Sequence, residues 1–153
     1  MKRIVALLLA VLMLSLTACG GSKEEVKNID LQGVYEEMAA LMPEMLPMDE
    51  TMMLNFCGIE ADMCKQAVVS VCFDGLRADE VWLIEAKDAK ALESLKGLAE
   101  SRLERKGEES ITYSPEQYQV VQKAEVITLG NYLVMIVSPD VADLTAIFNN
   151  AAN

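Results

Sequence analysis

The chain contains no histidine. That removes Ser–His and Cys–His nucleophile pairs, along with the commonest metal ligand. It also lacks a G-x-S-x-G elbow, a phosphate-binding P-loop and a dinucleotide fingerprint, so none of the recognisable catalytic sets is present. No C-x-x-C pair occurs, and no acidic run has the spacing of a calcium loop. A non-enzymatic protein without a cofactor is the expectation. The one enzymatic option left is a hydrolase working with carboxylates alone, since 24 acidic residues allow such pairs even at random.

What is present is most distinctive at the start. Lys2 and Arg3 precede an unbroken apolar run from Ile4 to Leu14, then Leu16-Thr17-Ala18-Cys19, then Gly20-Gly21-Ser22-Lys23-Glu24-Glu25. A basic head, a short apolar stretch and small residues before a cut describe an export signal. The run is shorter than the about 20 residues a spanning helix needs. Leu-Thr-Ala-Cys resembles the bacterial lipobox, in which the cysteine thiol is alkylated by a diacylglyceryl group before cleavage. Residues 1–18 are therefore expected to be removed, leaving Cys19 as a lipid-bearing N-terminus on the outer face of the cell membrane. Two or three acyl chains, at about 0.8 kcal/mol per buried methylene, anchor stably where one would not. Residues 19–28 read as a tether spanning about 15–18 Å as a flexible coil, and 29–153 as one domain.

Loss of Lys2 and Arg3 leaves 11 basic against 24 acidic residues, a balance of −13. So acidic a surface repels nucleic acid; the expected partners are the bilayer, through Cys19, and an unidentified surface protein or small ligand. Cys57, Cys64 and Cys72 remain, an odd number. They read as buried thiols acting as small hydrophobes, with one bridge plus a free thiol as the alternative.

Asp30 is placed to cap a helix whose apolar stripe is Leu31, Val34, Tyr35, Met38, Leu41, Met42 and Met45, with Ile29 and Val34 as a staple. Pro43 ends or kinks it. A short helix over about 49–57 closes at Gly58. Strands follow over 66–73 and 80–86 around the turn Asp74-Gly75-Leu76-Arg77. Asp88 caps a long helix that turns Leu92, Leu95, Leu98, Ala99 and Leu103 inward, with Gly107 beyond its end. Ser114-Pro115-Glu116-Gln117 supplies a cap, a first-turn proline and a capping-box glutamine. Strands over 125–129 and 132–137 flank Gly130-Asn131, a strong hairpin turn; the second is apolar throughout, as in a strand covered on both faces. Ser138-Pro139 opens a final helix carrying Val141, Leu144, Ile147 and Phe148. The expected fold is α+β: a single four-stranded, mostly antiparallel sheet of two hairpins packed by helices, in the order α-α-β-β-α-α-β-β-α.

Several stretches resemble one family. Phe56-Cys57-Gly58-Ile59 stands where that family has a Tyr-Gly-Ile-like turn, with Cys57 departing from the aromatic. Ala78-Asp79-Glu80-Val81 opens a strand, Arg102 lies in the long helix, and Tyr113-Ser114-Pro115-Glu116-Gln117-Tyr118 and Gly130-Asn131-Tyr132 follow. From about 49 to 148 the chain is similar to a bacterial lipoprotein family known as domain of unknown function 4358. The resemblance implies an exported lipoprotein of Gram-positive anaerobes and carries no catalytic residue across.

Two local features remain. Seven methionines lie between Met38 and Met63, and Met42-x-x-Met45-x-x-Met48 resembles soft-metal motifs, thioethers being suited to Cu(I). The same residues read as core gap-fillers or as a Met-rich surface gripping an apolar partner segment. Arg77, Asp79 and Glu80 form a charged cluster at a turn–strand junction, read as solvation and turn geometry, with a partner contact as the alternative.

Overall fold

The computed structural model describes residues 28–153. The expected leader, Cys19 and the expected tether up to residue 27 lie outside the described residues.

Helix α1 (Leu31–Ala39) starts where Asp30 accepts the Gly33 amide at 3.2 Å, and Ile29 and Val34 are buried together beside it. It stops before Pro43, so Met42 and Met45 leave the helical stripe that the spacing suggests. Met45–Pro47 form instead a strand, β1, antiparallel to β2 (Cys64–Cys72), with Met45 opposite Cys72 and Pro47 opposite Ser70. The sheet therefore has five strands rather than four. Three residues are too few to display alternation, and a proline is tolerated there because the strand is an edge.

After β1, α2 (Glu50–Met52) begins at the Asp49 cap and widens into a π-helical turn, Met53–Cys57. Gly58 ends it at φ 74°, the left-handed cap expected at that position. A 3-10 turn over Ala61–Met63 leads into β2, and the Asp74–Arg77 turn leads into β3 (Glu80–Ala86). The long helix α3 (Ala89–Tyr113) is capped by Asp88 on the Ala91 amide at 2.8 Å. It runs straight through Gly107, which is buried where α4 (Pro115–Val121) packs back, so Gly107 is not the terminator the sequence suggested. Ser114 closes α3 and caps α4. Strands β4 (Glu125–Leu129) and β5 (Tyr132–Val137) form the second hairpin. The last helix, α5 (Val141–Ala152), starts after Asp140, and the Ser138 hydroxyl accepts the Asp140 amide two residues on, in the turn that precedes the helix.

The strand order is β1-β2-β3-β5-β4, each neighbouring pair antiparallel. Strands β3 and β5 are buried along nearly their whole length, which explains their unbroken apolar runs. Side-chain alternation sends Trp82, Ile84, Leu133, Met135 and Val137 toward α3, with Leu95 and Ala99. Val81, Leu83, Val134 and Ile136 face the opposite way, toward Leu31, Met38, Leu144 and Phe148 of α1 and α5. The result is an α+β arrangement of three layers, with a core on each face of one antiparallel sheet. Among the described residues no helix is long and apolar enough to cross a membrane.

Candidate functional site

Glu80 is the first residue of β3 and shares a face with Trp82 and Ile84, so its side chain enters the α3 core. It is fully buried. A bare carboxylate there is prohibitively costly, and the fold supplies two cations one helical turn apart on α3. Arg102 donates from Nε to Oε1 at 3.0 Å and from Nη2 to Oε2 at 2.9 Å, and Lys106 Nζ lies 2.9 Å from Oε2. Trp82 Nε1 donates to Oε1 at 2.8 Å. Burial pushes the Glu80 carboxyl up, but the hydrogen bonds and charges of Arg102 and Lys106 outweigh it and hold the group below its ordinary value.

Asp79 is buried as well and receives Nε and Nη2 of Arg77 at 3.0 and 3.2 Å. The reading of Arg77, Asp79 and Glu80 as a solvated cluster is thus corrected for both acids. Glu80 is in the core because the strand starts under α3 rather than beyond it, and Asp79 is buried against the Arg77 guanidinium. Arg77 alone of the three keeps a substantially exposed side chain.

Above this cluster lies a cleft of about 590 Å³ between the Gly75–Ala78 turn and the α3–α4 junction. Lys106, Arg77 and Glu109 contribute charge to it, Ser110 and Ser114 hydroxyls, and Leu76 and Tyr113 its exposed apolar edges. Gln117, expected to close a capping box, reaches across instead: its Oε1 accepts the Ala78 amide at 2.8 Å and ties α4 to the turn. That bond fixes the width of the cleft from one side. Lys106, Ser110 and Tyr113 escape a reading of the sequence as a site, because nothing local joins them to the turn. The available signal is a lone acid opening the apolar run Val81-Trp82-Leu83-Ile84, which demands cations from elsewhere, and Arg102 and Lys106 have the i, i+4 spacing to provide them.

The methionines separate. Met42 packs with the α1–α5 core, Met48 with the α3 core, and Met45 lies between them in β1 on the same face as Cys72. Met42, Met45 and Met48 therefore do not share a face. Met48 instead accepts the Cys57 thiol at 3.7 Å. Burial pushes that thiol up to about 11, with the Glu80 charge adding to it and Arg102, Arg105 and Lys106 opposing. Cys57 is thus a protonated packing group rather than a nucleophile. All three cysteines after residue 27 are free; Cys57 and Cys72 are buried and Cys64 is half-buried.

An α+β protein with an antiparallel sheet between helical layers, and a cleft where the first β-turn meets the long helix, is the class this geometry defines. Residues 38–138 match the family described as Domain of unknown function (DUF4358), and the chain belongs to that family. No curated protein and no solved structure matches it.

Proposed function

We propose that this protein is an exported lipoprotein, held on the outer face of the cell membrane by acyl chains on Cys19, whose domain is a non-enzymatic module that binds a small ligand in the cleft under Leu76 and Tyr113. One observation carries the binding reading. Tyr113 and Leu76, 87% and 85% exposed, are the most exposed large apolar side chains of the described residues, and both border the same cleft. Large apolar side chains left in water beside a concave polar floor mark a binding surface. The volume falls within the about 300–1,000 Å³ of small-molecule sites. The anchor rests on the order of residues 2–19 and on the thiol chemistry of the lipobox.

The two halves are tested separately. Cells fed labelled palmitate should incorporate it into the wild-type chain and not into Cys19→Ala; a wild-type chain that carries no label and fractionates away from membranes would overturn the anchor. For the cleft, a thermal-shift screen of small metabolites on the full chain in detergent is repeated with Ser110→Trp, which fills the space. Stabilising compounds should lose their effect in that variant. Turnover of a substrate, abolished by a single cleft substitution, would replace the binding reading with an enzymatic one.

A further inference from the structure

Two cations, Arg102 and Lys106, bear on one buried carboxylate, Glu80. Arg102 already engages both oxygens of that carboxylate, and Trp82 adds a neutral donor. Lys106 is therefore a second cation on an anion that the first has matched. Its side chain is only 9% exposed, and Glu80 is the one carboxylate within ion-pair distance among the described residues. The remaining exposure opens into the cleft. Arg77 lines the same cleft, its charge matched by Asp79. Inside the protein two cations face one carboxylate, and the Glu109 charge that also acts on Arg102 lies exposed on the cleft wall, so an anion seated on Lys106 would complete the buried set.

We infer that the ligand of this cleft carries an anionic group, a carboxylate or a phosphate, seated on Lys106, joined to an apolar or planar body held between Leu76 and Tyr113. The inference rests on the cleft being the binding site, and it adds the chemistry of what binds. The ammonium of Lys106 acts as a point charge that accepts either headgroup. Its fixed pairing with Glu80 means that no side chain has to be reorganised when the anion arrives. The ligand's apolar body, lying against the Tyr113 ring and Leu76, shields the resulting pair from water, which strengthens it. Glu109, exposed on the cleft wall, disfavours ligands with a second negative charge on that side.

The test is calorimetric titration of the full chain in detergent with three probes of similar size: 3-phenylpropanoate, phenyl phosphate and the neutral 3-phenylpropan-1-ol. At least one anionic probe should bind about tenfold tighter than the alcohol or better, and whichever anion binds tighter identifies the headgroup. Lys106→Met should reduce that preference to about threefold or less. Raising the salt concentration should weaken the anions and not the alcohol, a readout that needs no variant. If the alcohol binds as well as the anions, and Ser110→Trp abolishes all three, the cleft stands and the anionic ligand falls. If no probe binds, or Ser110→Trp changes nothing, the cleft reading falls and takes this inference with it.

Discussion

Glu80 shows how one buried charge links stability to pH. Its folded carboxyl titrates below its ordinary value, because Arg102 and Lys106 more than offset the cost of burial. The unfolded group titrates at about 4.3. Stability contributed by this group is therefore complete above that value and is lost as pH falls through the lower, folded one. Lys106→Met removes one of the two cations and raises the folded titration point, so acid unfolding, followed by the fluorescence of Trp82, should set in at a higher pH than in wild type. Glu80→Ala leaves two buried cations and a Trp82 donor without their acceptor, and should cost about 3–5 kcal/mol in urea unfolding. Cys57 works in the opposite direction. Burial pushes its thiol up to about 11, against about 8.5 in an unfolded chain. Between those values the folded state keeps a proton that the unfolded state has released, so stability falls as pH rises across that window. In the native protein iodoacetamide should modify the half-buried Cys64 first, and Cys57 only on unfolding.

Two glycines set opposite expectations for the elements that contain them. Gly58 has φ 74°, and a Cβ there would lie 3.1 Å from Leu98 Cδ2. Gly58→Ala should destabilise by about 1–2 kcal/mol from the left-handed backbone, before any cost of the contact. Gly107 lies within α3, and a Cβ there would meet Gln122 and Tyr118 at an ordinary 3.8 Å. Gly107→Ala should stabilise by about 0.5–1 kcal/mol, through helix propensity. A thermal melt of each variant distinguishes the two signs. The same glycines mark what can be read from sequence. Gly58 was legible as a helix end because caps are local, as were Asp30, Asp88, Ser114 and the Gly130-Asn131 turn. Gly107 misled because packing of α4 on α3 overrides a local stop signal. Strand β1 was invisible for a related reason: only its pairing with β2 makes three residues a strand. The candidate site was less legible still. Arg77, Asp79 and Glu80 stood out together as charged neighbours of a turn. The burial of Glu80 depends on α3, which supplies Arg102 and Lys106 from much later in the chain, whereas Asp79 takes its partner from Arg77 two residues away.

At the scale of the molecule, one sheet separates two cores that share no side chain. Strands β3 and β5 contribute alternate residues to both. The layers are therefore held together by the strand backbones themselves, and a residue in one core senses the other through the sheet's ladders, chiefly that between β3 and β5. Leu95 is fully buried in the α3 core and Phe148 in the α1–α5 core. Truncation to alanine should cost about 2–5 kcal/mol for Leu95 and about 3–5 for Phe148, combining lost transfer energy with the cavity left behind. Because the sheet lies between them, the costs should add within about 0.5 kcal/mol in the double variant, as expected of sites with no common partner. Both variants should also lose their secondary structure in the same transition as the fluorescence of Trp82, since neither face of β3 or β5 can be uncovered without exposing the other strand's apolar run. Urea unfolding monitored by circular dichroism and by Trp82 fluorescence tests both points. Coincident curves with additive costs fit a sheet that unites its two cores, whereas a double variant far from additivity, or an α1–α5 layer that melts first in Phe148→Ala, would mean that the layers are stabilised independently.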